Sequence, residues 1–260
     1  MSNQIELIEF KAGNSQEIKQ SIANFCQVSI REINRVNIKE IYEKYRIEYH
    51  GISDALWEKF NEGAPLSKSD NLRAIHYHKT RSNGTKEWFQ DGLKNGDLGV
   101  KNFIYNLNHY CDIDLTELEG QIINSNNKKH EQANEGINYG PYSFICRKSA
   151  MKDECYNLPE TIGDNCGVEL LNNIRNALKP TVVEFWFDYP TSCALDKYLR
   201  AYCGMFLYGE FPYSPLEPRM IVPYENIKHV KIVRVRRKPL RNKLKEFKMN
   251  VDIRFTMDAN

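Results

Sequence analysis

Two histidines two positions apart, His76 and His78, sit beside Lys79, Thr80 and Arg81. On a strand, alternate side chains share a face, so both imidazoles point the same way. An imidazole near neutral pH can give or take a hydrogen bond, bind a metal or move a proton. Lys79 and Arg81 have the charge to meet a pyrophosphate or to remain in solvent. The run Leu72-Arg73-Ala74-Ile75-His76-Tyr77 predicts the strand that carries these groups. Ser82-Asn83-Gly84 breaks it, Thr85 can cap a helix, and Lys86 to Asp91 reads as a short amphipathic helix. Gly92-Leu93 stops that helix, and Gly96 follows.

Two more segments hold residues of the same chemical kind. Tyr142 lies in Gly140-Pro141-Tyr142-Ser143-Phe144, a candidate edge strand, with Tyr139 as a competing aromatic. Glu217 lies in Leu216-Glu217-Pro218-Arg219-Met220-Ile221-Val222-Pro223-Tyr224-Glu225-Asn226-Ile227. Other chemistries find little support. No Gly-x-Gly-x-x-Gly, no Gly-x-x-x-x-Gly-Lys and no His-Glu-x-x-His occurs. His76 and His78 could give two metal ligands, but His109 and the acids have no supporting spacing, so no metal is expected. No elbow motif frames a serine or cysteine nucleophile.

A strand with His-x-Thr, then a turn, a helix and Gly-Leu, resembles the opening of the ADP-ribosyltransferase superfamily. The Gly-x-Tyr segment is similar to its second element. The late apolar strand followed by Pro-Tyr-Glu-Asn-Ile resembles the close of its toxin-like domains. The resemblance implies NAD as substrate. It places His78 on a ribose hydroxyl, Thr80 at the strand end, Arg81 near the pyrophosphate, and Tyr142 stacked on the nicotinamide. It places a catalytic glutamate just before the late strand. Such chemistry needs little acid–base help, because the leaving group, the nicotinamide ring, is already cationic. The protein holds the dinucleotide and stabilises an oxocarbenium-like ribose with oriented hydrogen bonds and one carboxylate. The chain departs from the pattern at one position. If Glu217 takes the first carboxylate position, Arg219 occupies the usual catalytic one. Three alternatives follow: Glu217 is catalytic in a shifted register, another acid such as Glu210 enters, or the site is inactive. An arginine there also suits the superfamily's RNA 2′-phosphotransferases, which work with basic residues. A toxin or phage-defence setting is associated with the family, and a protein partner or inhibitor would fit that setting.

The elements that must hold these residues point to an α+β fold. Ile18, Ile22, Phe25 and Cys26 have helical spacing, as do Ile38, Ile41, Tyr42 and Tyr45, and a third helix is expected over Ser53 to Asn61. Residues 1–70 are therefore expected to form a helical N-terminal subdomain. A split β-sheet domain like that of the superfamily is expected over 71–260. Within it, a helix is expected over Val100 to Tyr110 and a polar, loop-like insertion over 112–138. A helix from Pro159 to Leu178, broken near Gly163 to Gly167, precedes the strongest strand, Thr181 to Phe187. Leu195 to Leu207 reads as a helix. Met220 to Val222, Val230 to Val235 and Val251 to Phe255 read as strands.

The net charge of +2 conceals an asymmetry. Residues 228–248 contain ten Lys and Arg and one acid, Glu246, for a charge of +9, which leaves −7 on the rest. Such a block fits an acidic partner, RNA or DNA first, with Arg234, Arg236, Arg237 and Lys238 as contacts, or else a solvated strand edge guarded by cations. The seven cysteines are odd in number and lack Cys-x-x-Cys spacing. With no secretory pattern and no apolar run of spanning length, a cytoplasmic protein with reduced thiols and no membrane contact is expected.

Overall fold

The computed structural model describes residues 7–46, 51–62, 64, 66, 71–132, 140–152, 158–209, 213–215 and 221–234. The chain begins with β1 (Ile8–Phe10) and four helices: α1 (Ser15–Cys26), α2 (Ile30–Ile33), α3 (Ile38–Tyr45) and α4 (Ile52–Phe60). Next come β2 (Asn71–Ser82), a single 3-10 turn (Glu87–Phe89), α5 (Gly96–Cys111) and α6 (Thr116–Gln132). Then follow β3 (Tyr142–Phe144), α7 (Arg147–Lys152), α8 (Glu160–Asn165), α9 (Val168–Ala177) and β4 (Lys179–Pro190). The described chain closes with α10 (Thr191–Tyr208), β5 (Tyr213–Pro215), a second 3-10 turn (Tyr224–Asn226) and β6 (Ile227–Ile232). The fold is α+β. No helix among the described residues is long and apolar enough to cross a membrane.

The sheet order is β5-β3-β2-β4-β6, and β1 pairs parallel with the start of β2. All other pairings are antiparallel. The centre is the full-length pairing of β2 with β4, in which His78 faces Val183 and His76 faces Phe185. Arg73 fixes that register by a two-point bond to its cross-strand partner Asp188, Nε to Oδ1 and Nη2 to Oδ2, both at 2.9 Å. Its guanidinium also covers the Trp186 ring at 3.8 Å.

Alternation along these strands divides the side chains between two faces. One face carries Leu72, Ala74, His76 and His78, with Val183 and Phe185 beside the two histidines. Two apolar clusters cover it. The first joins Phe10, Phe25, Trp57, Leu72, Leu199 and Tyr202, and the second joins Trp88, Phe103, Leu107, Ile174, Phe185 and Ile227. The opposite face holds a smaller cluster of Ile75, Tyr77, Ala150 and Val182.

Several expectations change. The described residues of 1–70 are mostly helical, but β1 joins the sheet, and Phe10, Phe25 and Trp57 share a core with Leu72 and Tyr202. The expected boundary near 70 is thus crossed by strand pairing and by packing. The polar insertion contains a 17-residue helix, α6. Few of its residues are apolar, so its pattern reads as a loop. It is fixed by buried Leu115 and Ile122, by Asp114 Oδ1 accepting from Thr116 N at 2.9 Å, and by Lys129 reaching Glu160 (3.0 Å) and Asp164 (2.5 Å) of α8. The helix expected over Lys86 to Asp91 is only a 3-10 turn. The strand expected to end at the His-x-Thr motif continues to Ser82. Of the late strands, Val222 makes an isolated bridge to Leu93, β6 spans Ile227–Ile232, and 251–255 lies outside the described residues.

Candidate functional site

A cleft of about 380 Å³ lies between the sheet, at His78, Thr80 and Tyr142, and a helical wall from α5, α6 and the start of α8. Its base is the turn after β2, with Trp88, Phe89, Gly92 and Leu93. Gly92 has φ +78°, and a Cβ there would stand 2.0 Å from the Val222 carbonyl oxygen. Only glycine allows that approach, which lets Leu93 and Val222 exchange two backbone hydrogen bonds of 2.9 Å. The Gly-Leu pair thus fastens the cleft floor to the segment before β6.

His78 is half-buried on the sheet side. Its Nδ1 donates to the Tyr142 carbonyl at 2.7 Å. In the neutral ring this leaves Nε2 as an acceptor. Burial lowers the pKa of His78 below the ordinary histidine value, and the bond to the Tyr142 carbonyl offsets part of the shift. The ring is therefore neutral at physiological pH and can accept a hydroxyl proton. Thr80, two residues on, also lines the cleft.

His76 has a different role. It is wholly buried, with Nδ1 2.8 Å from Ser143 Oγ, Nε2 2.6 Å from Tyr198 OH and 3.2 Å from Tyr189 OH. Its ring stacks on Phe185 at 5.6 Å. Desolvation, with a smaller contribution from Lys197, pushes its pKa down to about 3. Between the two histidines the structure leaves His78 at the cleft and uses His76 to tie β2 to β3 and α10. Both nitrogens of His76 are engaged in hydrogen bonds, and His109 stacks on Tyr105 on α5.

Tyr142 reaches the cleft in a way the sequence does not predict. Phe144 pairs in register with Tyr77 and packs with it on the face opposite His78. Tyr142 lies two residues earlier, on the same side of the pleat as Phe144. Its contribution to His78 is its backbone carbonyl. The Gly140–Pro141 peptide that precedes it is cis, and both residues line the cleft. The aromatic faces of the cleft come from Trp88, Phe89 and Phe103, all buried. Arg81 reaches the end of α9, where its Nη1 donates to the carbonyls of Arg175 (3.2 Å) and Leu178 (3.1 Å). It holds a helix terminus and is absent from the cleft lining, contrary to the expected pyrophosphate contact.

The helical wall is polar in part. Asn106 is 2% exposed and donates from Nδ2 to the Trp88 carbonyl at 2.8 Å, while its Oδ1 has no partner among the described residues. Thr161, also 2% exposed, has a hydroxyl without a partner among the described residues. Asn126 donates to Asp97 at 3.1 Å. Glu160 is the carboxylate among the described lining residues, and Lys129 pairs with it. No motif or spacing in the sequence points to this wall as a whole. A signal was present for Asn106, a polar residue within the apolar stripe of Phe103, Ile104 and Leu107 on α5. Thr161 carries no comparable signal.

Glu217, Arg219, Glu210 and Tyr139 lie outside the described residues, as do Arg236, Arg237 and Lys238. The described neighbours of the Glu217 segment are held at the cleft: Pro215 pairs with Tyr142, and Val222 with Leu93. Glu225 belongs to the second 3-10 turn and is exposed. Arg234 is exposed just after β6. Comparison with protein-family models, curated proteins and solved structures finds no match to this chain.

Proposed function

We propose that this protein transfers ADP-ribose from NAD to a macromolecular acceptor, with nucleic acid favoured over protein. The supporting observation is the meeting of two sequence-distant elements, His78 and Tyr142, at one cleft, with His78 held as a neutral acceptor. In this reading His78 Nε2 accepts from a ribose hydroxyl of NAD, and Thr80 stands beside it. The buried rings of Trp88, Phe89 and Phe103 offer the apolar faces against which a heteroaromatic ring packs. The volume falls within the usual range for small-molecule sites. The bond from the ribose anomeric carbon to the nicotinamide nitrogen breaks, and nicotinamide leaves with the electron pair. The acceptor's nucleophile then bonds to that carbon and gives up its proton. Glu217 is proposed as the carboxylate that stabilises the intervening cation. The +9 charge of residues 228–248 supports a nucleic-acid acceptor.

A second reading, a non-enzymatic module that binds nucleic acid or protein, is favoured by one observation. The described acid of the cleft, Glu160, is paired with Lys129 rather than free to face a cation. Incubating the protein with NAD labelled in the adenylate portion, and with RNA, DNA or protein, separates the two. Label transferred to one acceptor, and lost in Glu217→Gln, supports the enzyme. NAD left intact with every acceptor removes it.

A further inference from the structure

Buried polar atoms seldom lack a partner in folded proteins, so two on one cleft wall call for an explanation. Among the described residues neither Asn106 Oδ1 nor Thr161 Oγ1 finds a hydrogen-bond partner, on residues each 2% exposed and each lining the cleft. They come from different elements, α5 and α8. The Asn106 amide is fixed in one sense, because Nδ2 donates to the Trp88 carbonyl at 2.8 Å. Turning it over would set oxygen against oxygen. Oδ1 is therefore a buried acceptor that no described donor satisfies. The Thr161 hydroxyl can donate or accept. The cleft they line also carries five aromatic or cyclic side chains: Trp88, Phe89, Phe103, Pro141 and Pro159. Such walls fit a flat ring.

We propose that Asn106 and Thr161 form a recognition subsite for the amino-bearing edge of a nucleobase, an aminopurine or aminopyrimidine. The exocyclic amino group donates to Asn106 Oδ1. The ring nitrogen beside it accepts from the Thr161 hydroxyl. A base with a carbonyl in place of the amino group sets an acceptor against Oδ1 and is rejected. The subsite deepens the NAD reading and rests on it for the carrier of the ring, which is either the adenine of the dinucleotide or a base of the acceptor.

Calorimetry on the full chain, with matched ligand pairs, tests this. The pairs are AMP with inosine monophosphate, CMP with UMP, and NAD with its hypoxanthine analogue. The amino-bearing member of at least one pair should bind about tenfold more tightly, as expected when a site built to hydrogen-bond one group meets an analogue lacking it. A preference in the NAD pair assigns the ring to the dinucleotide. A preference seen only for mononucleotides, measured with NAD present, assigns it to the acceptor. Thr161→Val, which preserves shape, and Asn106→Leu should each bring the ratio toward one. A purely structural defect would weaken both members of a pair equally and leave the ratio unchanged. Equal affinities within every wild-type pair, or a ratio that survives both substitutions, overturns the subsite. NAD binding without amino selectivity leaves the NAD reading and removes the subsite. Amino-selective binding of mononucleotides without NAD binding does the reverse.

Discussion

His78 donates from Nδ1 to the main-chain carbonyl of Tyr142 at 2.7 Å, joining two strands whose partner residues lie 64 positions apart. The bond sets the tautomer and turns Nε2 into an acceptor. It also assigns Tyr142 a role through its backbone. Tyr142→Ala is therefore expected to cost less NAD affinity than His78→Ala, because the carbonyl survives the substitution. Isothermal calorimetry on the two variants checks the order. A larger loss in Tyr142→Ala would return the stacking role to its ring.

The pH response of binding follows from the direction of the His78 shift. Protonation at Nε2 removes the lone pair that accepts the ribose hydroxyl. Burial lowers the pKa below the ordinary value of 6.5. NAD affinity should therefore stay level from pH 8 down to that value and fall only below it. A titration of affinity against pH shows this. A decline that begins above neutrality would place a different group at the ligand.

His76 makes stability depend on pH. Its pKa is about 3 in the folded protein and near 6.5 when exposed, so the unfolded chain binds the extra proton between these values. The stabilisation is complete above the unfolded value and is lost as pH falls toward the folded one, at up to about 1.4 kcal/mol per pH unit. Melting temperature in His76→Gln, which keeps polar bonding but does not titrate, should be lower at neutral pH and less steep in acid. Equal slopes for the variant and the wild type would remove His76 as the source.

Gly92→Ala is expected to destabilise the protein by at least about 2 kcal/mol. The strain of positive φ adds to a Cβ placed 2.0 Å from the Val222 oxygen. Denaturant unfolding measures the loss. A change of a few tenths of a kcal/mol would mean that the Leu93–Val222 bridge is easily given up.

The basic segment is tested by salt. Replacing Arg234, Arg236, Arg237 and Lys238 with Gln should lower both the affinity for RNA or DNA and the slope of its logarithm against that of salt concentration. No nucleic-acid binding by the wild type at low salt would make the segment a solvated edge.

Periodicity reveals the elements whose apolar residues repeat. The broken helix pair α8 and α9, the strand β4 and the helix α10 all stand close to where their patterns put them. It fails at α6, whose helix is held by capping and ion pairs that leave little apolar trace. It also fails at β1, three residues long and stable only because β2 lies beside it. In the cleft, His78, Thr80 and Gly92 are legible because their types are constrained by strand face or by φ. The backbone role of Tyr142 is not, since it depends on the face that Phe144 takes opposite Tyr77. Nor is the capping role of Arg81, which depends on where α9 ends relative to β2.

Calorimetric titration of NAD into the wild type and His78→Ala tests whether NAD occupies the cleft beside His78. Saturable one-to-one binding by the wild type is expected, weakened by about 1–3 kcal/mol in the variant, the cost of a lost buried hydrogen bond. No heat of binding in the wild type at millimolar NAD, or equal affinity in the two proteins, would contradict it.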